Sequence, residues 1–317
     1  MKIRNLHWIA LAITATVGLA LSARAQTTNI LVHDTWQDST RTDPAPPTYA
    51  ENNGVIGTDA DTDTDLESAW FNSSSGMTVS PNHLVMTNLT TGSSVFTTYF
   101  TPEATPVTLA NAGDAIRLTW VFTPTSVNSS NTSQGFRLAL VQNPSGTRVT
   151  ADGGLPTTTY QGYAMFMSMG TKLNNSNSFQ LMRRNVASNP LLNNATDWLG
   201  LTNGAGKNVT GYTDGTPYTF VWTLTKNGSG GLDITSTMSG GSLGNTGSIT
   251  DFFSDATPST NSFDMFAIRP SSGSTTASQF DTSLFEVDFI TVPEPSTLAL
   301  VAGGLGLMVG FVRRRRR

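Results

Sequence analysis

The sequence contains no cysteine among its 317 residues, and this absence excludes several classes of protein at once. Disulfide-stabilised scaffolds, thiolate metal sites, thiol nucleophiles and attached c-type haem all require cysteine side chains. Histidine is nearly as rare, with only His7, His33 and His83 in the chain. Two or three histidines without cysteine are a poor basis for a catalytic zinc centre.

Charge is also sparse, since Asp, Glu, Lys and Arg together make up 13% of the chain. Residues 26–292 hold 10 basic and 21 acidic residues, which gives this region a net charge of −11. A negative surface repels nucleic-acid phosphates, so we exclude nucleic acid as a partner. Acidity of this size is typical of a soluble exported domain.

The first 25 residues have the three parts of a secretory signal peptide. After a positively charged start, an apolar stretch covers residues 8–21, and small residues follow at Ala23 and Ala25. These two alanines occupy the −3 and −1 positions of a cleavage site, so we predict that the mature chain begins at Gln26. An uncleaved anchor is the alternative, but the stretch is shorter than the ~18–20 residues of a spanning helix.

The C-terminal end carries a second sorting pattern. Two prolines flank one glutamate at Pro293, Glu294 and Pro295, and the 17 residues from 296 to 312 carry no charge. A run of this length is at the short limit of a transmembrane helix. The chain then ends on five arginines, which hold such a helix end in the cytoplasm: Arg313, Arg314, Arg315, Arg316 and Arg317.

The combination in residues 293–317 resembles the PEP-CTERM sorting signal of Gram-negative bacteria. The resemblance implies that exosortase, a membrane peptidase, removes the tail after export through the inner membrane. It also implies a location at the cell envelope, at the outer surface or in the extracellular matrix, together with exopolysaccharide. An ordinary tail anchor with a chance Pro-Glu-Pro is the alternative. The start of the body, Asp34 to Thr42, followed by Asp65 to Phe71, also resembles the opening of many PEP-CTERM ectodomains.

Residues 26–292 have the pattern of an all-β domain. Short runs in which large apolar residues alternate with mixed ones recur along the region, and Asn-, Gly-, Ser- and Pro-rich turns separate them. In the clearest run Ile116, Leu118, Trp120 and Phe122 are expected to point inward. No stretch shows a sustained helical period and no repeat of fixed length occurs, which favours an antiparallel β-sandwich over a solenoid or propeller.

The proposed architecture is similar to concanavalin-like jelly rolls. In that fold a strand near the start of the domain lies beside one near the end, and the segments 29–33 and 284–292 fit those two places. A hairpin is predicted where the turn 227–231 joins the runs 220–224 and 232–234. A shared architecture of this kind says little about function.

The densest group of charges lies between residues 59 and 67. If this segment is extended, the carboxylates share one face about 6.6 Å apart and repel one another. Oxygen ligands of this kind suit Ca²⁺, so we predict a candidate calcium site, with a solvated acidic loop as the alternative. The candidate ligands are Asp59, Asp61, Asp63 and Asp65. Glycine at loop position six is missing, which excludes an EF-hand.

No complete catalytic site is evident. Glu286 and Asp288 match the first two acidic positions of laminarinase-like glycosidases, but the third position is Thr291, so the leaving oxygen lacks a proton donor. A Ser-His-Asp triad would have to use His33 or His83, and there is no phosphate-binding loop. Because most candidate residues have ordinary structural roles, we expect a protein that is not an enzyme.

Exposed aromatic rings offer a different kind of site, since sugar rings stack on them. Three tryptophans lie in polar, turn-rich surroundings and are candidate glycan-binding residues: Trp36, Trp70 and Trp198. The sequence therefore favours an exported protein with non-catalytic carbohydrate or matrix association. A polysaccharide-active hydrolase or lyase and a purely structural matrix component are the alternatives.

Overall fold

The computed structural model describes residues 26–51, 63, 65–74, 76–129 and 133–292, and these residues form strands joined by turns. The nineteen strands are β1 (Thr27–Asp34), β2 (Trp70–Asn72), β3 (Met77–Ser80), β4 (His83–Thr87), β5 (Phe96–Tyr99), β6 (Val107–Thr108), β7 (Ala115–Thr125), β8 (Phe136–Gln142), β9 (Gln161–Met167), β10 (Lys172–Leu173), β11 (Phe179–Arg184), β12 (Trp198–Gly200), β13 (Val209–Thr210), β14 (Tyr218–Lys226), β15 (Leu232–Ser239), β16 (Ser248–Asp255), β17 (Ser262–Phe263), β18 (Met265–Pro270) and β19 (Gln279–Thr291). Two single turns of 3₁₀ helix, Ala195–Asp197 and Leu243–Asn245, are the helical elements of the described residues.

Two large antiparallel sheets account for most of these strands. The first has eight strands in the order β16-β15-β14-β7-β19-β4-β3, and β1 also pairs with β19. The second has seven strands in the order β12-β11-β9-β8-β18-β5-β2. Two ribbons, β10-β13 and β17-β6, complete the architecture. The pairing of β1 with β19 brings together the first and last strands, as predicted.

The inner faces of the two sheets pack on each other through aromatic and aliphatic side chains. On β7 every second side chain from Ile116 to Phe122 is fully buried, which confirms the predicted inward set. The Trp120 ring stacks on Phe122 at 4.1 Å and contacts Phe266 of the second sheet at 6.4 Å. Alternation places these residues on one face of the strand because successive side chains point to opposite sides. The predicted antiparallel β-sandwich is therefore confirmed.

The outer face of the second sheet is buried as well. On β8 and β9 the residues between the inner ones, Ala139, Val141, Ala164 and Phe166, form a second apolar cluster with side chains from the connecting loops. Loop residues in this cluster include Tyr49, Leu155, Leu191 and Leu192. The loops thus form a third layer over the sheet.

Two buried ion pairs connect this loop layer to the sheet. Arg148 bonds Asp264 at 2.9 Å and Arg184 bonds Asp197 at 3.2 Å, with side chains at most 2% exposed. The Arg148 guanidinium also lies 4.7 Å from the Tyr99 ring centre. Each charge has a partner within the low-dielectric layer, which is the condition for burying it.

Several expectations concern residues outside the described part of the chain. The signal peptide (1–25), its cleavage and the C-terminal helix (293–317) stay predictions. Among the described residues no helix has the length and apolarity to cross a membrane. Residues Asn29–Ile290 form one compact unit.

We expect the fragment 26–292 to fold alone into a β-rich domain, because it contains both complete sheets. Trp120→Ala should lower its free energy of unfolding by about 3–5 kcal/mol, the cost of removing a large buried aromatic. Phe252→Ala is the matched control, because that ring is 57% exposed, and it should change stability by less than about 0.5 kcal/mol. Urea unfolding followed by far-ultraviolet circular dichroism checks both, and a helix-dominated spectrum would refute the fold.

Candidate functional site

Two neighbouring chain segments, 34–41 and 65–74, form the candidate site at one end of the sandwich together with Asp63. Each is fixed by a tryptophan that points into the core. Trp36 has a positive φ of 56°, and its ring lies 6.4 Å from that of Trp70. Trp70 makes an edge contact of 5.0 Å with Phe285 of the first sheet. The polar side chains next to these anchors are therefore held in fixed positions.

The first group at this site is a cluster of three carboxyl groups. Asp38, Asp63 and Glu67 each offer an oxygen, and these oxygens lie within 4.8 Å of one another. Asp38 and Asp63 are half-buried, whereas Glu67 is only 3% exposed. We call these three residues the acidic cluster.

Two further aspartates lie in the same two segments. Asp34 is 1% exposed, and its Oδ1 accepts a hydrogen bond from the Trp36 backbone N–H at 3.0 Å. Asp65 accepts from the Thr35 backbone N–H at 2.7 Å and from the Gln37 side chain at 2.9 Å. These bonds shape the loop, and they use Asp65 for structure.

Burial of so many carboxyl groups perturbs their ionisation. Desolvation is the largest cause, and with the nearby charges of Asp34, Asp38 and Asp63 it raises the pKa of Glu67 to about 10. Desolvation also raises the pKa of Asp34 well above its usual value. Among the described residues, no arginine, lysine or histidine forms an ion pair with Asp38 or Glu67. Burial without an arginine or lysine partner is thus what keeps the Glu67 carboxyl group protonated.

The second group is a shallow polar pocket built on the same two segments. Arg41 forms a two-bond pair with Asp152, at 3.0 and 2.7 Å, and donates to the Trp70 carbonyl at 2.7 Å. Asn72 donates to both Asp152 oxygens, from its backbone and its side chain, at 3.0 Å each. The residues that line this pocket are Arg41, Asn72, Ser73, Ser74, Gly76, Met77, Asp152 and Gly153.

The pocket's charged pair is fixed by complementary hydrogen bonds. The Arg41 guanidinium, more than any other contact, holds the pKa of Asp152 below its usual range. Two parallel hydrogen bonds between a planar guanidinium and a carboxylate fix the orientation of the two groups relative to each other. Hydroxyl, amide and carboxylate groups held in this way can hydrogen-bond the hydroxyl groups of a sugar, and no nucleophile–base pair lies among them.

The structure places the three candidate glycan-binding tryptophans in the interior. Trp36 and Trp70 are fully buried and Trp198 is 5% exposed. The Trp198 ring packs on Phe166 and under the Arg184 guanidinium in the loop layer. A sugar ring has no access to such faces, so stacking on these residues is corrected to a structural role. The polar surroundings that suggested exposure are the backbone turns above the buried rings.

The predicted acidic run is divided in the structure. Asp59 and Asp61 lie outside the described residues. Asp63 belongs to the acidic cluster, whereas Asp65 turns to Thr35 and Gln37 instead of sharing a face with it. The expectation of one extended row therefore does not hold for Asp63 and Asp65.

The weak glycosidase motif on β19 is occupied by structural contacts. Glu286 accepts from the His33 ring at 2.8 Å, and Asp288 bonds Arg117 at 2.5 Å. His83 similarly pairs with Asp281 at 2.9 Å. These three pairs connect β1, β7 and β4 to β19. The contacts agree with the interpretation of Glu286 and Asp288 as an ordinary strand pattern.

Five site residues were not among the sequence-predicted candidates: Asp38, Arg41, Glu67, Asn72 and Asp152. Part of the signal was present, because the Asp-x-x-Arg turn at Asp38 and Arg41 and the Ser-Ala-Trp-Phe run mark the two segments that meet. Asp152 is 111 residues from Arg41 in sequence, and no local pattern indicates that contact.

Comparison with protein families identifies the end of the chain. Residues 291–317 match the PEP-CTERM protein-sorting motif, which confirms the resemblance seen in the sequence. The match begins at the last residue of β19, so the motif directly follows the final strand. A comparison with curated proteins finds no match.

Solved structures similar to this chain include lectin domains. The potassium-bound Emp46p carbohydrate recognition domain is 12% identical with a TM-score of 0.42, over 75% of this chain and 95% of that one. The Lotus tetragonolobus seed lectin is 12% identical with a TM-score of 0.40, over 72% and 100%. The Ca²⁺- and Man2-bound VIP36 exoplasmic/lumenal domain is 10% identical with a TM-score of 0.41, over 78% and 88%.

The raised pKa of Glu67 predicts that the free energy of unfolding depends on pH. The measurement is made with a chelator present, so that metal ions do not contribute. The folded protein keeps the Glu67 proton up to a pH of about 10, whereas the unfolded chain releases it above about 4.3. Folding thus takes up a proton between these values, and the free energy of unfolding should fall as pH rises from 5 to 9. Glu67→Gln should flatten this slope, and Glu103→Gln, outside the acidic cluster, should keep it. Urea unfolding at each pH measures the slope, and equal slopes in the wild type and Glu67→Gln would contradict the assignment.

Proposed function

We propose that this chain is an exosortase-sorted envelope or extracellular-matrix protein whose β-sandwich associates with carbohydrate without catalysis. The observation that carries the proposal is the PEP-CTERM match over residues 291–317, directly behind the last strand of the sandwich. The motif supports export and delivery to the cell surface. The signal peptide in residues 1–25 belongs to the same proposal, as does membrane anchoring through the C-terminal helix before processing.

The polar pocket is our proposed glycan-binding surface. It combines a rigid Arg41–Asp152 pair with the amide of Asn72 and the hydroxyl groups of Ser73 and Ser74. Sugars present neighbouring hydroxyl groups that both donate and accept hydrogen bonds, and these groups complement them. The open shape of the pocket suits association with a chain such as exopolysaccharide.

Tail removal is the first test. We expect the exported protein to begin at Gln26 and to lack residues beyond the Pro293–Pro295 region, because peptidases read both ends as sorting signals. Intact-mass spectrometry of protein purified from the cell surface measures both ends. A strain without exosortase should retain the Arg313–Arg317 tail. A surface-located protein that keeps this tail in the normal strain would exclude processing.

Glycan binding is the second test. Ser74 is exposed at the pocket, so Ser74→Trp should fill it and weaken binding to the host exopolysaccharide about tenfold or more, which corresponds to about 1.4 kcal/mol. Ser229→Trp, in the exposed turn between β14 and β15, is the matched control and should bind as the wild type does. Glycan arrays and isothermal titration calorimetry measure the affinity.

Three other outcomes separate the alternative functions. New reducing ends in the glycan would indicate a hydrolase, and unsaturated products would indicate a lyase. No binding to the exopolysaccharide or to any array glycan would favour the purely structural role. Equal affinity of Ser74→Trp and the wild type would exclude this pocket as the binding surface.

A further inference from the structure

Arg137 and Arg269 are direct neighbours on the outer face of the second sheet. Arg137 on β8 lies opposite Arg269 on β18 in the register of these two strands. Each directly follows a side chain of the inner core, Phe136 and Ile268 respectively, so both point to the outer face. Opposite residues on one face have Cβ atoms about 4.5–5.5 Å apart, and two like charges in such a pair destabilise the sheet.

Arg137 and Arg269 are also the two arginines of the described residues that have no carboxylate partner. Five other arginines each pair with an aspartate at 2.5–3.2 Å: Arg41, Arg117, Arg148, Arg183 and Arg184. Arg137 and Arg269 donate only to neutral oxygens of the described residues. Residues 26–292 hold 21 acidic and 10 basic residues, so a shortage of carboxylates is not the reason. Two positive charges without a partner thus meet on a domain whose net charge is negative.

Both guanidinium groups converge on one loop residue. Arg137 donates from Nη1 to the Leu192 and Asn193 carbonyl oxygens at 2.7 and 3.3 Å. Arg269 donates from Nε to the side-chain oxygen of Asn193 at 3.2 Å. The Arg137 guanidinium also lies 4.4 Å from the Phe166 ring centre, a contact that fixes its position. Because Asn193 is exposed, the place where the two groups meet is open to solvent.

Several N–H donors of the two guanidinium groups remain unused. Arg137 also donates from Nε to the Gln134 carbonyl at 3.0 Å, which leaves its Nη2 without a bond to the described residues. Arg269 uses only its Nε, so neither of its terminal nitrogens has a partner among the described residues. These nitrogens are not among the buried atoms that lack a partner, so they reach solvent. Guanidinium groups with free donors bind oxyanions, whose oxygens accept two parallel N–H bonds.

Burial lowers the pKa of both arginines. Desolvation is the largest cause, and the neighbouring charge of Arg269 adds to it, which lowers the pKa of Arg137 to about 10. Desolvation alone lowers the pKa of Arg269. Both groups stay protonated near neutral pH, so two positive charges are partly removed from water without an ion-pair partner among the described residues.

We propose that Arg137 and Arg269 form an oxyanion-binding site that takes a carboxylate or sulfate group. The group would accept hydrogen bonds from the free nitrogens of both arginines and would offset the repulsion between their charges. A free anion and an acidic substituent of a polysaccharide present the same chemistry. The site is separate from the polar pocket, which other residues line, and it does not depend on binding at that pocket.

Isothermal titration calorimetry of the purified full-length protein at constant ionic strength tests the site and separates the two sources. The probes are sodium sulfate, a trisaccharide of galacturonic acid and the same trisaccharide with its carboxyl groups reduced. We expect sulfate and the acidic trisaccharide to bind, whereas reduction of the carboxyl groups should weaken binding about tenfold or more. Tighter binding of the acidic trisaccharide than of sulfate identifies a polysaccharide as the source, and equal or weaker binding identifies a free anion. Absence of binding by both anions would overturn the site.

Arg269→Gln locates the binding, because this side chain makes a single protein hydrogen bond and its loss should leave the fold intact. The variant should bind sulfate and the acidic trisaccharide about tenfold more weakly, the loss expected for a charge-assisted contact. Lys172→Gln removes the same charge from an exposed strand position and is the matched control, which should bind as the wild type does. Equal affinity of Arg269→Gln and the wild type would refute the assignment.

Thermal unfolding separates a binding role of Arg269 from a structural one. Replacing an arginine that only stabilises the sheet should lower the melting temperature, whereas removing one of two repelling charges should leave it unchanged or raise it. We therefore expect Arg269→Gln to melt at the same or a higher temperature than the wild type without oxyanions. In saturating sulfate it should melt at a lower temperature than the wild type, because only the wild type gains from binding. A melting temperature lowered equally in both buffers would assign Arg269 to the fold instead.

Ser74→Trp keeps the oxyanion site and the carbohydrate proposal apart. That variant fills the polar pocket and should bind sulfate as the wild type does. A wild-type protein that binds sulfate but no neutral glycan would contradict only the carbohydrate proposal. One that binds a neutral glycan but neither anion would contradict only the oxyanion site.

Discussion

The candidate site depends on the packing of two tryptophans against the end of the core. Trp36 and Trp70 contact each other, and Trp70 contacts Phe285 on the central β19 strand. Burial of two indoles stabilises this arrangement by several kcal/mol and offsets the cost of the positive φ at Trp36. Thr35 and Gln37, which flank Trp36, both bond Asp65, and Arg41 donates to the Trp70 carbonyl. Carboxyl and amide groups from both segments are thus concentrated at the candidate site.

The same packing explains why charge is buried at this end of the sandwich. Asp34 accepts a hydrogen bond from the Trp36 backbone N–H, and Glu67 lies three residues before Trp70, so both belong to segments that the buried indoles hold in place. Buried charge in the loop layer over the second sheet is paired instead. Asp264 has Arg148 as its partner and Asp197 has Arg184. A buried carboxylate paired with an arginine can stay ionised, whereas Glu67, buried among other carboxyl groups, keeps its proton.

The sequence predicts the strands well because a period of two is a local property. The run through Trp120 and the hairpin at Asn227 were identified from a few residues each, and the PEP-CTERM motif is a continuous pattern. The outer apolar layer is not predicted, because the loops that cover Ala139 and Phe166 come from distant parts of the sequence. Trp36 was assigned to the surface from its polar neighbours. Arg41 and Asp152 meet only after both loops have folded, and no spacing in the sequence encodes that contact.

The position of β19 in the first sheet sets the order in which the domain can be completed. This strand lies between β7 and β4 and also pairs with β1, yet it is the last strand to be synthesised. Before Gln279 is available, the sheet exists only as separate pieces, with β16-β15-β14-β7 on one side and β4-β3 on the other. Contacts such as His33 to Glu286 span 253 positions, and closing them is slow. The first sheet can therefore close only after the residues immediately before the sorting motif have been added to the chain.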